Sequence, residues 1–389
     1  MQPSQELSIY VHWPFCKKKC PYCDFNSHVR NNIDDQEWLT GYLSEIDYYN
    51  NMLALSDNYE IVSIFFGGGT PSLANPMIID RIINKLSKVT KFSKNIEITL
   101  EANPTSIDIN NLKTLHSAGI NRASVGIQSF NDAELRFLGR EHSSAEALSA
   151  LHSVANCFEN YSFDMIYGLP NQTIEDWQAN LRYASQFFDK HVSLYQLTIE
   201  DGTTFHRWHK LNRFTMQNDD KLAEFYKITQ EIMEQYQMPA YEISNHAKPG
   251  SECKHNISYW KYKDYIAIGA GGHSRYMHNN KKIASINYKL PEKWLKYVID
   301  NNNDGCATAK TEILDSNMIR YETILMNMRL CEGMRLDHLS ELGVKQDSIT
   351  ALIDDKLIII RNKGGQLYAQ ATLNGRLLLN IIISRLLEE

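Results

Sequence analysis

Apolar, β-branched runs alternate with amphipathic stretches in the N-terminal half of the chain. The runs predict six strands, at residues 8–12, 61–66, 97–101, 122–128, 162–166 and 191–197. Apolar positions at helical spacing predict intervening helices over 35–52, 78–89, 109–118, 144–157 and 173–187. Strands that alternate with helices form a parallel sheet with right-handed crossovers. We therefore expect an α/β fold, either an open doubly wound sheet or a partial barrel.

The pattern changes in the C-terminal half. A helix is predicted over 220–235, and polar residues without periodicity predict a linker at 301–309. Three helices, a β-hairpin around Asn362-Lys363-Gly364-Gly365 and a last helix follow the linker. We expect three parts: a core over 1–240, a loop-rich extension over 241–300, and a mostly helical, winged-helix-like module over 311–389.

Polar or glycine residues follow several of the predicted strands. Cys16, residues 67–70, Glu101, Gln128 and Asp164 lie at or near the C-terminal ends of the first five. Ligands bind at that rim in parallel sheets and barrels. The sequence therefore predicts one shared binding site there.

Composition narrows the class of protein. The 389 residues include 40 basic and 46 acidic ones, a formal charge of −6, which disfavours a broad nucleic-acid surface. No basic segment followed by an apolar segment marks a signal peptide at the N-terminus, and no run reaches the roughly 18 apolar residues of a membrane span. We expect a cytoplasmic protein without a membrane span, although peripheral association stays open.

Three of the seven cysteines are clustered, as Cys16-Lys17-Lys18-Lys19-Cys20-Pro21-Tyr22-Cys23. One short loop of this spacing can wrap three thiolates around an iron–sulfur cluster and leave one iron without a protein ligand. Two alternatives stay open. Cys20-Pro21-Tyr22-Cys23 matches a dithiol redox motif, although the residues after it do not look helical, and a zinc site would need further ligands at zinc spacing.

C-x-x-x-C-x-x-C after the first strand resembles the signature of the radical S-adenosylmethionine (SAM) superfamily, whose core is a partial TIM-like (β/α)6 barrel. The resemblance implies that Cys16, Cys20 and Cys23 hold a 4Fe–4S cluster. It also implies that the remaining iron chelates SAM, which the cluster can cleave to a 5′-deoxyadenosyl radical.

The strings Gly67-Gly68-Gly69-Thr70-Pro71, Leu100-Glu101-Ala102-Asn103-Pro104 and Ser124-Val125-Gly126-Ile127-Gln128 resemble one branch of the superfamily. This branch contains the oxygen-independent coproporphyrinogen III oxidases and the haem chaperones, and the likeness covers nearly the whole chain. It implies that SAM is contacted by these residues: Tyr10, Tyr22, Gly68, Gly69, Thr70, Glu101, Gln128, Arg140 and Asp164. The resemblance implies a SAM contact less strongly for Thr198 and His273, because the sequence around them differs more between relatives.

Two departures favour the haem chaperone, or HemW, side of the branch. The oxidases carry a further cysteine where this chain has Phe25, and they have a longer arm before the first strand. The chaperones are marked by H-N-x-x-Y-W, present here as His255-Asn256-Ile257-Ser258-Tyr259-Trp260. The resemblance makes His255, Tyr259 and Trp260 candidates for haem binding, with Cys253 as an alternative iron ligand.

The function expected is therefore a radical SAM chaperone with three cofactors or ligands, namely a 4Fe–4S cluster, SAM and haem. Its partner would be a haem-accepting protein, for example a respiratory enzyme. The alternative is an oxidase-like enzyme of porphyrin biosynthesis, and no catalytic residue is assigned. A third hypothesis makes the C-terminal module a nucleic-acid reader, but its candidate recognition segment, 347–355, has three acids and no basic residue.

Overall fold

An eleven-stranded mixed sheet dominates the structure, a computed structural model that describes residues 5–30, 32–300 and 304–388. The strands are β1 (Gln5–Trp13), β2 (Phe15–Cys16), β3 (His28–Val29), β4 (Tyr59–Gly68), β5 (Lys91–Ala102), β6 (Arg122–Gln128), β7 (Tyr161–Tyr167), β8 (His191–Gln196), β9 (Asn245–Ala247), β10 (Asp264–Ile268), β11 (His273–His278), β12 (Lys281–Asn287), β13 (Thr308–Ile313), β14 (Met334–Arg335), β15 (Ile358–Lys363) and β16 (Gln366–Ala371).

The helices cover the sheet and build the C-terminal module. They are α1 (Asp35–Leu53), α2 (Leu55–Asn58), α3 (Pro76–Val89), α4 (Ile109–Ser117), α5 (Asp132–Phe137), α6 (Ser144–Ala155), α7 (Ile174–Ala184), α8 (Thr204–Lys210), α9 (Asp219–Gln235), α10 (Lys254–Trp260), α11 (Pro291–Ile299), α12 (Ser316–Asn327), α13 (Leu336–Glu341), α14 (Gln346–Asp354), α15 (Leu373–Leu377) and α16 (Leu379–Leu387). Most of the long helices begin at a side-chain cap, such as Asp34 before α1 and Ser143 before α6.

The six predicted core strands are β1 and β4–β8, and they lie in chain order in one parallel array. β10 adds a seventh parallel strand beside β1, and β9 and β11–β13 extend the two ends in antiparallel pairs. The edge strands β9 and β13 do not pair with each other. The sheet is thus an open, partial barrel, and the expected α/β fold class is confirmed.

Alternation along the core strands separates an apolar outer layer from a polar interior. Leu7, Ile9 and Val11 of β1 belong to the main hydrophobic core, whereas Tyr10 between them lines an internal cavity. β6 likewise places alternate apolar residues in that core. Successive side chains of a strand point to opposite faces, so this alternation sends the intervening polar residues into the barrel.

The stretch 241–300 differs from the loop-rich extension that the sequence predicts. It forms β9–β12, α10 and α11, and the strands join the main sheet. Of the predicted linker 301–309, the first three residues lie outside the described residues, and the last two begin β13. The stretch therefore packs as part of the core, because its strands complete hydrogen bonds that β1 would otherwise leave unpaired.

The C-terminal module has its own hydrophobic core, formed by α12–α14, α16 and the three-stranded sheet β14-β16-β15. The β15–β16 hairpin is the predicted wing. An ion pair of 2.9 Å between Arg275 and Glu322 joins β11 to α12. The winged-helix-like arrangement agrees with the prediction from the sequence.

A buried carboxylate holds the extension against the core. Glu45 of α1 accepts hydrogen bonds from Gly269 N (2.7 Å), Trp294 Nε1 (3.1 Å) and Asn287 Nδ2 (2.7 Å). Burial raises the pKa of Glu45 to about 8 and outweighs the three donors, which lower it. At neutral pH the folded protein therefore keeps a proton on Glu45 that the unfolded chain releases.

This carboxyl should make the protein less stable as pH rises. Between pH 6 and pH 8 the folded state binds more protons at Glu45 than the unfolded state, so the free energy of unfolding should fall by about 2 kcal/mol. Glu45→Gln keeps the side-chain shape and should remove this part of the slope. Urea unfolding of both proteins at the two pH values tests the prediction, and equal slopes would contradict it.

Candidate cofactor site

An open cavity of about 420 Å³, here called the outer cavity, lies at the carboxyl ends of the core strands. Twelve residues predicted from the sequence line it: Cys16, Cys20, Tyr22, Cys23, Gly68, Gly69, Thr70, Glu101, Gln128, Arg140, Asp164 and Thr198. The carboxyl ends of neighbouring parallel strands meet at one edge, which explains why residues so distant in sequence come together.

Hydrogen-bond donors surround the three cysteine sulfurs. Thr70 Oγ1 donates to Cys16 Sγ at 3.4 Å, and Arg140 Nη1 donates to Cys20 Sγ at 3.4 Å. Ser27 Oγ lies 3.9 Å from Cys23 Sγ. Donors of this kind stabilise thiolates and tune the potential of a bound iron–sulfur cluster.

The cysteine loop does not resemble a dithiol redox motif. No helix begins within residues 24–30, and burial raises the pKa of the Cys23 thiol, whereas such a motif opens a helix and needs a lowered thiol pKa. Within residues 5–30, 32–300 and 304–388, no three His, Cys, Asp or Glu side chains are close enough to hold a single metal ion.

The glycine-rich loop packs directly on the strand that leads to the cysteines. Gly69 N donates to Trp13 O at 2.7 Å, and Thr70 N donates to Phe15 O at 2.9 Å. A Cβ at Gly69 would lie 2.5 Å from Phe15 O. Only glycine allows this approach, which fixes the loop against the base of the cysteine loop.

Two half-buried acids face the outer cavity from β5 and β7. Glu101 Oε2 accepts a hydrogen bond from Gly68 N at 3.2 Å, and Asp164 Oδ1 accepts one from Ser124 Oγ at 3.4 Å. Burial, with repulsion from Asp164, raises the pKa of Glu101 to about 8, and burial raises the pKa of Asp164 to about 6. Carboxyl groups held this way favour a cationic or hydroxyl-bearing ligand, as the ammonium and ribose of SAM would provide.

Arg140 supplies the complementary charge. Its Nη2 donates to Gly126 O at 2.8 Å, while its buried Nε has no hydrogen-bond partner among the described residues. A Cβ at Gly126 would lie 2.8 Å from Gln128 Nε2, so this glycine makes room for Gln128, which has a left-handed φ of 71°. A guanidinium with an orphaned, buried Nε–H fits the carboxylate of a ligand such as SAM.

Comparison with known proteins agrees with this geometry. Residues 10–184 match the Radical SAM superfamily. The chain is 35% identical to heme chaperone HemW of Haemophilus influenzae and 31% identical to that of Escherichia coli, with 98% of each chain covered in both cases. The chain belongs to the HemW family of radical SAM proteins. The superfamily implies SAM and an iron–sulfur cluster as cofactors.

Two proteins that are not named HemW also resemble this chain. Radical S-adenosyl methionine domain-containing protein 1, mitochondrial, of Danio rerio is 32% identical, over 99% of this chain and 87% of that protein. The structure of coproporphyrinogen III oxidase (HemN) from Escherichia coli superposes with a TM-score of 0.79, at 20% identity, over 99% of this chain and 90% of that one. This second likeness shows a shared fold.

A second cavity, of about 230 Å³, lies deeper in the barrel and is here called the inner cavity. It shares Glu101, Ser124, Asp164 and Tyr195 with the outer cavity. Tyr10, predicted as a SAM contact, lines the inner cavity, and His273 lines neither. Three of the four haem candidates also line the inner cavity: Cys253, His255 and Tyr259. Trp260 does not, and its buried Nε1 has no partner among the described residues.

Sequence reasoning missed several cavity residues in this member of the HemW family. Ser124 and Tyr195 stand between the two cavities, and Arg122, His191 and Tyr241 line the inner one. A signal was available for the strand residues. Arg122, Ser124 and Gln128 share one face of β6 at a spacing of two, opposite a purely apolar face.

Proposed function

We propose that this protein is a radical SAM haem chaperone, which holds a 4Fe–4S cluster and SAM in the outer cavity, binds haem and passes it to an acceptor protein. Similarity to proteins named heme chaperone HemW over nearly their whole length supports this function. One observation carries it. The H-N-x-x-Y-W segment lies in α10 and places His255 in the lining of the inner cavity, which shares four residues with the outer cavity.

In this proposal Cys16, Cys20 and Cys23 hold the cluster, and Arg140, Glu101, Asp164 and Gln128 orient SAM beside it. The bound cluster would supply the electron for reductive cleavage of SAM. Arg140 would contribute twice, because the same guanidinium donates to Cys20 Sγ and keeps Nε free for a carboxylate. The chain therefore couples the position of the nucleotide to that of the cluster.

His255 is the proposed haem ligand. Ser63 Oγ donates to Ser8 Oγ, so it accepts from His255 Nδ1, 2.9 Å away. The lone pair is then on Nε2, which accepts from Tyr259 OH at 2.8 Å. Burial lowers the pKa of His255 to about 3, so the imidazole is neutral, the form that binds iron.

Haem binding by His255 requires movement. Pockets for ligands of that size enclose roughly 300–1,000 Å³, more than the inner cavity alone. We propose that α10, a helix of seven residues, moves outward and that Tyr259 releases Nε2 when haem enters. The hydroxyl of Tyr259 would thus compete with iron for the same nitrogen.

The proposed chaperone acts in the cytoplasm. All seven cysteines are free, as expected in a reducing compartment. No helix in the described parts of the chain has the length and hydropathy that a membrane crossing requires.

Haem titration of the anaerobically reconstituted protein tests the proposal. We expect a Soret band that saturates near one haem per chain, weakened by His255→Ala and unchanged by His278→Ala, which removes a histidine lining neither cavity. Tyr259→Phe should strengthen binding, because it frees Nε2. Failure to saturate at any stoichiometry would contradict the haem-binding function, and a normal titration of His255→Ala would reject His255 as the ligand.

The oxidase alternative is tested with the same preparation. Anaerobic incubation with coproporphyrinogen III, SAM and a reductant should yield no protoporphyrinogen. Phe25, which replaces the additional cysteine of the oxidases, is 57% exposed at the mouth of the outer cavity and offers no thiol there. Formation of product would favour the enzyme over the chaperone.

A further inference from the structure

The inner cavity has unusually polar walls for the inside of a barrel. Small parallel barrels are normally filled by branched apolar side chains. Here the core strands place a histidine, a serine, a carboxyl or an arginine at most interior positions, and α10 adds more polar groups. The residues that the cavity does not share with the outer one include Arg122, His191, Ser193, Tyr241, Asn245 and Asn256. A bound ligand that takes these polar groups out of water must supply them with hydrogen-bond partners, so the cavity favours a polar ligand.

Arg122 is the group without a partner. It is 2% exposed and lines the inner cavity, yet no hydrogen bond or ion pair to its guanidinium is formed by any residue that the structure describes. A guanidinium carries five N–H donors and stays charged. Thr99 pairs with Arg122 in register, and its buried hydroxyl also lacks a partner among the described residues.

The nearby acids already have donors of their own. Glu97 Oε1 accepts from Cys253 Sγ and from His255 N, each at 3.3 Å. Asp164 accepts from Ser124. Both acids offset the charge of Arg122 at a distance, but neither accepts a hydrogen bond from its N–H groups. Tyr241 OH is similarly occupied, since it accepts from Asn256 Nδ2 at 3.0 Å and lies 3.0 Å from His191 Nε2.

We propose that the inner cavity is a carboxylate-binding site, in which Arg122 receives one carboxylate group through a bidentate contact. The planar fork of arginine matches the two oxygens of a carboxylate, and the cavity has room for that group with a short alkyl chain. Arg140 in the outer cavity stays available for the carboxylate of SAM, so the two arginines serve different groups.

The carboxylate has two sources that this chemistry fits. One is a propionate side chain of haem, which would reach Arg122 in the inner cavity while His255, moved outward with α10, holds the iron; this source rests on the proposed function. The other is a free short-chain organic acid bound next to SAM. Both sources place an anion on Arg122, but only the first requires a tetrapyrrole.

Two titrations of the reconstituted full-length protein separate the sources. In the first, haem is compared with haem dimethyl ester, which lacks free carboxylates. If a propionate binds Arg122, the ester should bind at least about tenfold more weakly to the wild type. The difference should vanish in Arg122→Met and persist in Arg136→Met, which removes an exposed arginine of α5. In the second, sodium propionate should raise the melting temperature of the wild type but not that of Arg122→Met.

Each outcome decides the proposal. If the ester binds more weakly than haem and this difference depends on Arg122, the carboxylate is a haem propionate. If the ester binds as well as haem but propionate raises the melting temperature in an Arg122-dependent way, the carboxylate belongs to a free acid. If haem does not bind at all, the proposed function fails, and the propionate titration still tests the site. If Arg122→Met does not fold, Arg122→Lys, which keeps the charge but loses the fork, takes its place. Equal binding of haem and its ester, together with no effect of propionate on the wild type, would overturn the carboxylate site.

Discussion

Replacing Cys20 with alanine should abolish the iron–sulfur cluster. The sulfur of Cys20 is one of three that line the outer cavity, and it accepts the hydrogen bond from Arg140 Nη1. Two thiolates cannot hold a cubane that already lacks a fourth protein ligand. After anaerobic reconstitution, iron and sulfide should fall from about four of each per chain to near zero, with loss of the broad visible absorbance.

The matched control is Cys157→Ser. Cys157 follows α6, packs against the main core and lines neither cavity, so this variant should retain the full cluster. Cys20 lies in a loop outside the hydrophobic core, and Cys20→Ala should therefore keep the far-ultraviolet circular dichroism of the wild type. A Cys20→Ala protein with four irons per chain would contradict the assignment of the ligands.

Replacing Arg140 with methionine should weaken SAM binding about tenfold to a hundredfold, because a charge-assisted hydrogen bond is worth roughly 1.5–3 kcal/mol. Methionine fills similar space, but it cannot donate to a carboxylate or to Cys20 Sγ. Anaerobic calorimetry with the reconstituted protein measures the loss directly. Iron content must be measured in parallel, since the same change removes a donor from the cluster.

Two variants sharpen this prediction. Arg140→Lys keeps the charge but cannot donate hydrogen bonds to Gly126, Cys20 and a carboxylate together. Its affinity for SAM should therefore lie between those of the wild type and Arg140→Met. His273→Ala should leave SAM affinity unchanged, because His273 lines neither cavity. A wild-type affinity in Arg140→Met, at full iron content, would remove Arg140 from the SAM site, and a large loss in His273→Ala would restore the contact predicted from the family.

The core of the fold could be predicted because its local signals agree. Each core strand carries apolar residues for the outer core, and the helices between them show regular apolar spacing and recognisable caps. The outer cavity could also be predicted, since its residues follow strand ends. The outer cavity is lined by residues from several strand ends, namely Cys16, Glu101, Gln128 and Asp164. They lie together because parallel strands end at a common rim, as the sequence indicates.

The extension could not be predicted in the same way, because its order depends on contacts between distant residues. β10 is held by pairing with β1, as in Leu7 with Asp264, and the carboxyl of Glu45 fixes the turn that follows it. No local pattern reveals such a partner. α10 has only seven residues, which is too short to show helical periodicity. The sequence therefore reveals the motif itself but not its position inside the barrel.

The inner cavity was missed for a related reason. The family pattern places Tyr10 among the SAM contacts, and the structure shows in addition that this interior residue of β1 lines the inner cavity. The sequence places Arg122 in a strand and indicates no further role for it. The register between β5 and β6 shows that it lies beside Thr99, whose buried hydroxyl has no partner in the described part of the chain.

In the proposed function, a cluster with one iron free of protein ligands would bind SAM in the outer cavity. This is measured by electron paramagnetic resonance of the reduced, reconstituted protein, recorded with and without saturating SAM. We expect SAM to change the cluster signal in the wild type and the change to be reduced in Arg140→Met. A cluster signal that is identical with and without SAM in the wild type would contradict it.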